Sequence, residues 1–396
     1  MAILVAALGY FVDIYDLILF SIVRIKSLKA IGVAESALLS DGVWLLNMQM
    51  IGMLLGGILW GLLGDKKGRL SVLFGSIFLY SAANIANGFV NSIEAYAWLR
   101  FIAGVGLAGE LGAGITLVSE VMPKEIRGYG TMIVATIGVC GAVVAVLVGD
   151  LFDWRTAYFV GGGMGIALLF LRISVYESGM FEKVRHAKHK MGNLSILFRS
   201  RANIFKYANC VLIGMPIWFT VGILITFSPE FGKALGMFLT PDAGKAVLFT
   251  YIGIAIGDLV SGCLTQILGS RKKIVLVFVL LIAVFIATYL LHRQPSLFEF
   301  YLTCFALGFA VGYWAVFVTI ASEQFGTNIR ATVTTTVPNF VRGTVVPLTF
   351  FFQLLKPHVG IIQSAGIVGA VCVFLALTSL HFLHETHGKD LDYCEG

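Results

Sequence analysis

About twelve apolar stretches, each near the ~20 residues that a helix needs to cross a bilayer, constrain this chain more than anything else in it. They begin near Ala2, Val43, Leu70, Ala95, Gly130, Ala157, Phe205, Ala243, Ile274, Ser296, Ala331 and Val359. Charged residues are 13% of the sequence against 58% hydrophobic, well below the roughly one quarter charged that soluble domains carry. A soluble core cannot enclose that much apolar surface. The expected class is therefore an all-α membrane protein of twelve transmembrane helices. Asp13 and Asp16 interrupt any signal-peptide core in the first stretch, and no basic flank precedes it, so that span is expected to stay.

Lys and Arg set the orientation. With loops assigned alternately, one side receives Lys66, Lys67, Arg69, Lys124, Arg127, the basic stretch Lys183 to Lys206, Arg271, Lys272, Lys273 and Arg330. The other receives Arg24, Lys26, Lys29, Arg155, Lys233, Lys245, Arg293 and Lys356. The richer side faces the cytoplasm, which places both termini there and the chain in a cytoplasmic (inner) membrane. The net charge of +6 reflects this asymmetry and gives no reason to expect nucleic acid. Lys183 to Lys190 reads as a solvated loop against anionic headgroups.

That loop divides the chain. The expected organisation is a six-helix bundle over 1–177, a cytoplasmic basic linker over 178–203, a second six-helix bundle over 204–386 and a cytoplasmic tail over 387–396. The two bundles repeat. Ser119-Glu120 through Ile126-Arg127 recurs as Ser322-Glu323 through Ile329-Arg330, and Gly64-Asp65-Lys66-Lys67-Gly68-Arg69 recurs in degraded form as Gly269-Ser270-Arg271-Lys272-Lys273. Weak repeats at corresponding places in two pseudo-symmetric halves mark rocker-type secondary transporters, which bind substrate near the midplane between the halves.

The charges inside the spans are the candidate functional residues. A carboxylate at bilayer depth costs roughly 2.5–3.5 kcal/mol on insertion scales unless it faces water or a partner. Asp13 and Asp16 lie three apart, on one face of the first span. At about 1.5 Å per residue, in a core about 30 Å thick, Asp16 and Arg100 of span four come to nearly the same depth. That height match predicts an ion pair whose opening frees the acid to take a proton, or a static lock between spans one and four. Asp13 is a second proton site, a substrate contact or a cavity acid. Glu110 lies among glycines that let helices approach closely and reads as a proton-pathway or gate residue.

In the second half, Asp258 of span eight and Arg342 of span eleven both fall near the midplane. Arg342 follows Pro338 and Asn339 and precedes Pro347, and prolines are tolerated where backbone lines a cavity. An always-charged guanidinium there suits a carboxylate or phosphate; the other reading is a bare Asp258–Arg342 pair. Tyr15, Trp218, Tyr313, Trp314 and Asn339 are candidate cavity residues, with packing the plainer role for the aromatics. Arg172, in the last turns of span six, is expected to snorkel to the headgroups. Cys140, Cys210, Cys263, Cys304 and Cys372 fall in apolar helices and Cys394 in the tail, without metal spacing. His381, His384 and His387 form a row at the end of span twelve with no carboxylate-rich partner. No enzyme constellation, metal or cofactor is expected; the proton is the coupling ion.

These motifs resemble the major facilitator superfamily. Gly61, Asp65, Lys66, Gly68 and Arg69 match its loop between spans two and three, which in that family latches the halves on the cytoplasmic side. Within it the chain looks most like the metabolite:proton symporter group, allied to sugar and phosphate porters. Gly9, Phe11, Asp13, Tyr15 and Asp16 match the group's first span. Arg100, Gly104, Gly109, Glu110, Gly112 and Glu120 match its fourth; Tyr10, Ile14 and Ala108 depart from the pattern. The resemblance implies a proton-coupling Asp at Asp16. The repeated Glu120, Arg127, Glu323 and Arg330 read as a symmetrical pair of latches between the halves. The expected function is proton-coupled import of a small anionic metabolite by a monomeric carrier. The alternatives are a carrier of larger polycarboxylates such as siderophores, a proton-driven exporter and a non-transporting sensor. The span from Gly130 to Leu151 holds no proline and so lacks the Gly-Pro motif of the superfamily's exporters.

Overall fold

A computed structural model describes residues 2–67, 69–110, 127–177 and 200–387, and among these the side chains of 7–63, 72–110, 133–173, 200–326, 329 and 332–387. The described residues are helical almost throughout. The first half holds α1 (Ala2–Ala30), α2 (Leu38–Lys67), α3 (Arg69–Asn87), α4 (Ile93–Leu107), α5 (Arg127–Leu151) and α6 (Trp154–Glu177). Span seven is α7 (Arg201–Phe219), a π-turn over Thr220–Ile225 and a short α8 (Ser228–Ala234). Spans eight and nine are α9 (Ala243–Leu268) and α10 (Arg271–Leu291). Span ten is broken into α11 (Leu297–Val311) and α12 (Trp314–Glu323). Span eleven runs through α13 (Thr327–Gly343) into α14 (Val345–Phe382), whose turn at Gly360, φ 81°, begins span twelve.

The breaks follow from the sequence. Pro216 removes a backbone donor, and α7 widens into a π-turn four residues later. Pro347 has no N–H for the carbonyl of Gly343, and the boundary between α13 and α14 falls there. Ser92, Asp242 and Ser270 cap α4, α9 and α10 with their side chains, and Ser296 and Glu299 form a reciprocal capping box on α11.

Small residues set how closely the spans approach. Gly52, Gly56 and Gly104 bring α2 and α4 together until a Cβ at any of them would meet the other helix's backbone. Gly253, Gly257 and Gly308 answer them position for position between α9 and α11. The internal repeat thus reappears as the same helix–helix seam in both halves. Across the halves, α5 packs on α9, and α2 packs on α13 and α14.

The surface is inverted relative to a soluble protein. Phe78, Phe89, Trp98, Phe298, Phe350 and Phe374 are more than 60% exposed, while Arg24, Arg100 and Arg342 are fully buried. Such a belt is satisfied only by lipid.

Glu385 anchors the end of the second half that the loop charges assign to the cytoplasm. Its carboxylate accepts from the Ser270 hydroxyl at 2.5 Å and from the backbone N–H groups of Arg271, Lys272, Thr386 and His387. Lys272 returns its ammonium to the carbonyls of Leu383 and His381, and Arg271 pairs with Glu323. Partial burial opposes ionisation of Glu385; the Ser270 hydroxyl and the backbone N–H groups outweigh it and hold the carboxyl down at about 2. A carboxyl whose folded value lies below its unfolded value, near 4.3, adds stability above the unfolded value and loses it as pH falls toward the folded one. Glu385→Gln is therefore expected to melt lower than the parent at neutral pH in detergent. The gap between the two should close between about pH 5 and pH 2, where the parent's own carboxyl becomes protonated; a gap independent of pH would assign Glu385 no ionic role.

Candidate functional site

The charges buried at membrane depth resolve into separate clusters. The first lies between the halves. Arg342 of α13 donates from Nη2 to Asp13 Oδ2 of α1 at 3.2 Å. Both residues are fully buried, and Arg342 Nε and Nη1 and Asp13 Oδ1 have no hydrogen-bond partner among the described residues. The guanidinium lies 5.8 Å from the ring centroid of Trp218 and 5.7 Å from that of Trp314, within cation–π range of both.

Arg342 forms one wall of a small cavity between the halves. The first half contributes Tyr10 and Ile14 of α1 and Val139 of α5. The second half contributes Ile217, Trp218 and Val221 of span seven, Tyr251, Ile254 and Asp258 of α9, and Val311 and Trp314 at the break in span ten. The chamber thus has apolar and aromatic walls, one cation and one carboxylate. The indole N–H groups of Trp218 and Trp314 also lack partners among the described residues.

Asp258 does not hold Arg342 as the bare-pair reading expects. Its Oδ1 accepts from the backbone N–H of Ala315 at 3.2 Å, in the first turn of α12. There it complements the exposed donors and positive end of that helix. Gly257 and Gly312 let α9 reach this break, and Ser261 donates to the Gly312 carbonyl at 2.8 Å. Asp258 Oδ2 has no hydrogen-bond partner among the described residues.

The expected Asp16–Arg100 ion pair is also not formed. Arg100 donates to Gln49 and stacks over Phe20 at 4.8 Å. Asp16 is buried against Gly161, beside Asn84, with no hydrogen-bond partner for either carboxylate oxygen among the described residues, and Arg100 acts on it only through space. Height along two helices places the groups at one level; the rotation of each helix, which spacing does not give, turns them past each other.

Arg172 is corrected too. It is buried, not snorkelled, and grips Glu110 at 2.9 and 3.0 Å through both terminal nitrogens. The Ser76 hydroxyl reaches the same carboxylate at 3.4 Å. Gly9 of α1 leaves the space this pair occupies. Glu110 is therefore tied within the first half, across α4, α6 and α3.

A further pair was hidden in a residue assigned to an outer loop. Arg24 is fully buried near the outer end of α1 and binds Glu230 of α8 at 2.7 Å. It also donates to the carbonyls of Leu38 and Thr226 and lies 4.6 Å over the Phe227 ring. Ser21 and Thr226 share a hydrogen bond of 2.9 Å beside it, and Asn47 accepts from Thr349 at 2.8 Å. These bonds join the halves on the outer side of the cavity.

Among the other sequence candidates, Trp218 and Trp314 line the chamber. Tyr15 donates to the Ala157 carbonyl and Tyr313 to that of Ile213, which makes both packing residues of their own halves. Asn339 donates to the Ala108 carbonyl at 2.9 Å, joining α13 to the end of α4. Glu323 pairs with Arg271 inside the second half, not across the halves. Gly61 is half-buried on α2. Gly68 and Glu120 lie outside the described residues, as do the side chains of Asp65, Lys66, Arg69, Arg127 and Arg330. Tyr10 and Tyr251 were not anticipated. Tyr10 stands one turn before Asp13 on the same face, which is a signal the spacing does carry.

The sequence profile of the Major Facilitator Superfamily matches residues 6–344. The niacin transporter NiaP of Acinetobacter baylyi is 26% identical over 427 residues, covering 98% of this chain and 94% of its own. The 3-(3-hydroxy-phenyl)propionate transporter of Escherichia coli is 26% identical over 303 residues, covering 73% and 71%. Among solved structures, the proton:xylose symporter XylE bound to 6-bromo-6-deoxy-D-glucose superposes with a TM-score of 0.72 at 18% identity, over 99% of this chain and 97% of that one. At that identity the likeness is one of fold.

Removing one partner of a buried ion pair strands the other charge, at a cost of about 3–5 kcal/mol. Glu230→Gln should do this to Arg24 and open the outer side. A single cysteine at Ile14 should then react faster with a membrane-impermeant maleimide added from outside than in the parent background. An unchanged rate would make Arg24–Glu230 a packing contact only.

Proposed function

We infer that this chain, which belongs to the major facilitator superfamily, is a proton-coupled importer of a small organic anion that works by alternating access. It is a multi-pass metabolite transporter and not an enzyme. The charge asymmetry of its loops favours a cytoplasmic (inner) membrane with both termini inside.

The observation that carries the substrate reading is Arg342. It is a permanent cation, fully buried at the seam of the halves and lining an aromatic chamber, and among the described residues two of its three nitrogens have no hydrogen-bond partner. A charge of that kind is retained at membrane depth only with a partner, and one oxygen of Asp13 satisfies a single nitrogen. A substrate carboxylate fits the remaining donors bidentately, with the indole N–H groups of Trp218 and Trp314 as further donors. The broken span ten adds a helix end at the same level, a device that transporters use to face substrate and ions.

The lining favours one of the alternatives. A chamber with mostly apolar and aromatic walls and a single cation suits a small monoanion with a ring better than a polycarboxylate such as a siderophore, whose further charges would stay unpaired there. Niacin and 3-(3-hydroxyphenyl)propionate, named for two relatives, are both small ring-bearing acids and fit the mixture of aromatic wall and single cation. The proton is assigned to the carboxylates of α1, Asp13 and Asp16, whose burial gives each a reason to exchange charge with its surroundings.

The test is uptake of nicotinate, benzoate and 3-(3-hydroxyphenyl)propionate into proteoliposomes under an imposed inward proton gradient. At least one should accumulate, and a protonophore should abolish accumulation. Arg342→Lys keeps the charge but loses the planar fork, and its affinity should fall at least tenfold, about 1.4 kcal/mol. Asp258→Asn should cost less, because that carboxylate serves α12 and not the guanidinium. Parent-like affinity in Arg342→Lys, or transport confined to neutral or cationic solutes, would remove the anion site.

A further inference from the structure

Four carboxylates lie in or beside the chamber, and among the described residues only one draws its cation from the opposite half. Glu110 is held by Arg172, both in the first half. Asp16 has Arg100 nearby, also in the first half. Asp258 is held by a backbone N–H of α12, within the second half. Asp13, in the first half, is held by Arg342 of the second. Rocking of rigid halves leaves the first three arrangements intact and changes the fourth.

We propose that Asp13 and the substrate's carboxylate compete for Arg342, and that this exchange sets the coupling at one proton per monoanion. The inference rests on the organic-anion reading above and deepens it.

In the empty site Asp13 is a carboxylate and Arg342 a guanidinium, a neutral pair. Because Asp13 binds one nitrogen, the substrate engages the guanidinium before the old contact is broken. Two carboxylates then share one cation in a dry site, and such a pair does not stay doubly ionised. Asp13 takes one proton from the open side, becomes a neutral carboxylic acid and releases Nη2. The loaded site holds Asp13 protonated, Arg342 charged and the substrate charged, so it is again neutral. Empty and loaded carriers thus cross with the same charge in the site. On the cytoplasmic side the order reverses: the substrate leaves, Asp13 loses its proton to water and closes on Arg342.

The charged and titratable groups around Asp13 are consistent with this assignment. From its own helix come Tyr10 and Asp16. From α3 comes Tyr80, from α4 Glu110, from α6 Arg172 in its bond with Glu110, and from α9 Tyr251, with Asp258 on the far side of Tyr10. Of these, Arg172 is already neutralised by Glu110, so among the described residues no second free cation stands beside Asp13 to hold its charge once Arg342 is taken. The negative groups among them add to the repulsion that the proton relieves.

The experiment measures protons directly. Purified carrier in weakly buffered detergent with a pH indicator is mixed with nicotinate, benzoate or 3-(3-hydroxyphenyl)propionate. The parent should take up about one proton per anion bound, and its apparent Kd should rise about tenfold per pH unit on the alkaline side. Asp13→Asn should bind the same probe with no proton uptake and no pH dependence. In proteoliposomes, uptake by the parent should not change when a potassium–valinomycin clamp imposes a membrane potential, a result that needs no variant to fold. Proton uptake retained by Asp13→Asn, or uptake by the parent that follows the membrane potential, overturns the exchange while leaving the anion carrier standing. A parent that binds none of the probes overturns both.

Discussion

The rest of the structure depends on the cost of holding a charge where there is no water. A buried ion loses several kcal/mol of solvation even after the protein relaxes, and an opposite charge recovers this only at close range. This chain buries several of its charges while many of its phenylalanines lie at the surface, so each buried charge calls for an answer from another helix. Where the answer comes from the same half, as with Glu110 and Arg172, the pair stiffens a bundle. Where it comes from the other half, as with Asp13 and Arg342 or Arg24 and Glu230, the pair opposes the motion that transport requires. Electrostatics thus divides the molecule into two rigid bodies and marks the places where they are tied.

The architecture was legible because it rests on properties summed along the chain. Twelve apolar stretches, a basic centre loop and a repeated Ser-Glu motif require no knowledge of how a helix is rotated. The glycine seams explain why the repeat survives weakly: Gly52, Gly56 and Gly104 and their counterparts Gly253, Gly257 and Gly308 sit where the other helix's backbone leaves no space for a side chain. Most other positions tolerate drift. The candidate site was legible only in part. Arg342, Asp258 and Trp314 could be placed because their depth is given by counting residues from a span's end. Pairing could not, because it depends on rotation. A helix turns 100° per residue, so one residue's uncertainty in a span's facing moves a side chain from one neighbour to the next. That is why Arg100 meets Gln49 in place of Asp16, and why Asp258 meets the start of α12 in place of Arg342.

Arg24 and Arg172 were misread for a related reason. Both lie near the ends of spans, where a long basic side chain ordinarily reaches water. Counting cannot show that α8 folds back over the outer end of α1 with Glu230, or that Gly9 opens a space for Arg172 beside Glu110. The break in span ten escaped notice as well. Gly312 and Tyr313 sit within an unbroken apolar run, and hydropathy averages over the two residues that interrupt the helix.

The two pairs that tie the halves are not equivalent. Arg24 has three kinds of partner: the Glu230 carboxylate, two backbone carbonyls and the Phe227 ring. It is nearly saturated, and Glu230 keeps a partial view of solvent, so water can replace each partner as the outer end opens. Among the described residues Arg342 has one hydrogen bond, at 3.2 Å, and two nitrogens without one. No such solvent substitute stands beside it; the cavity around it is mostly apolar. The outer pair therefore behaves as a closure that water can undo, and the inner pair as one that calls for another anion. This difference links gating to cargo. An outer gate that opened without changing the inner pair would let substrate in without obliging the halves to move. An inner pair exchanged for substrate changes what the two halves share across their seam, and so selects which states of the carrier can interconvert.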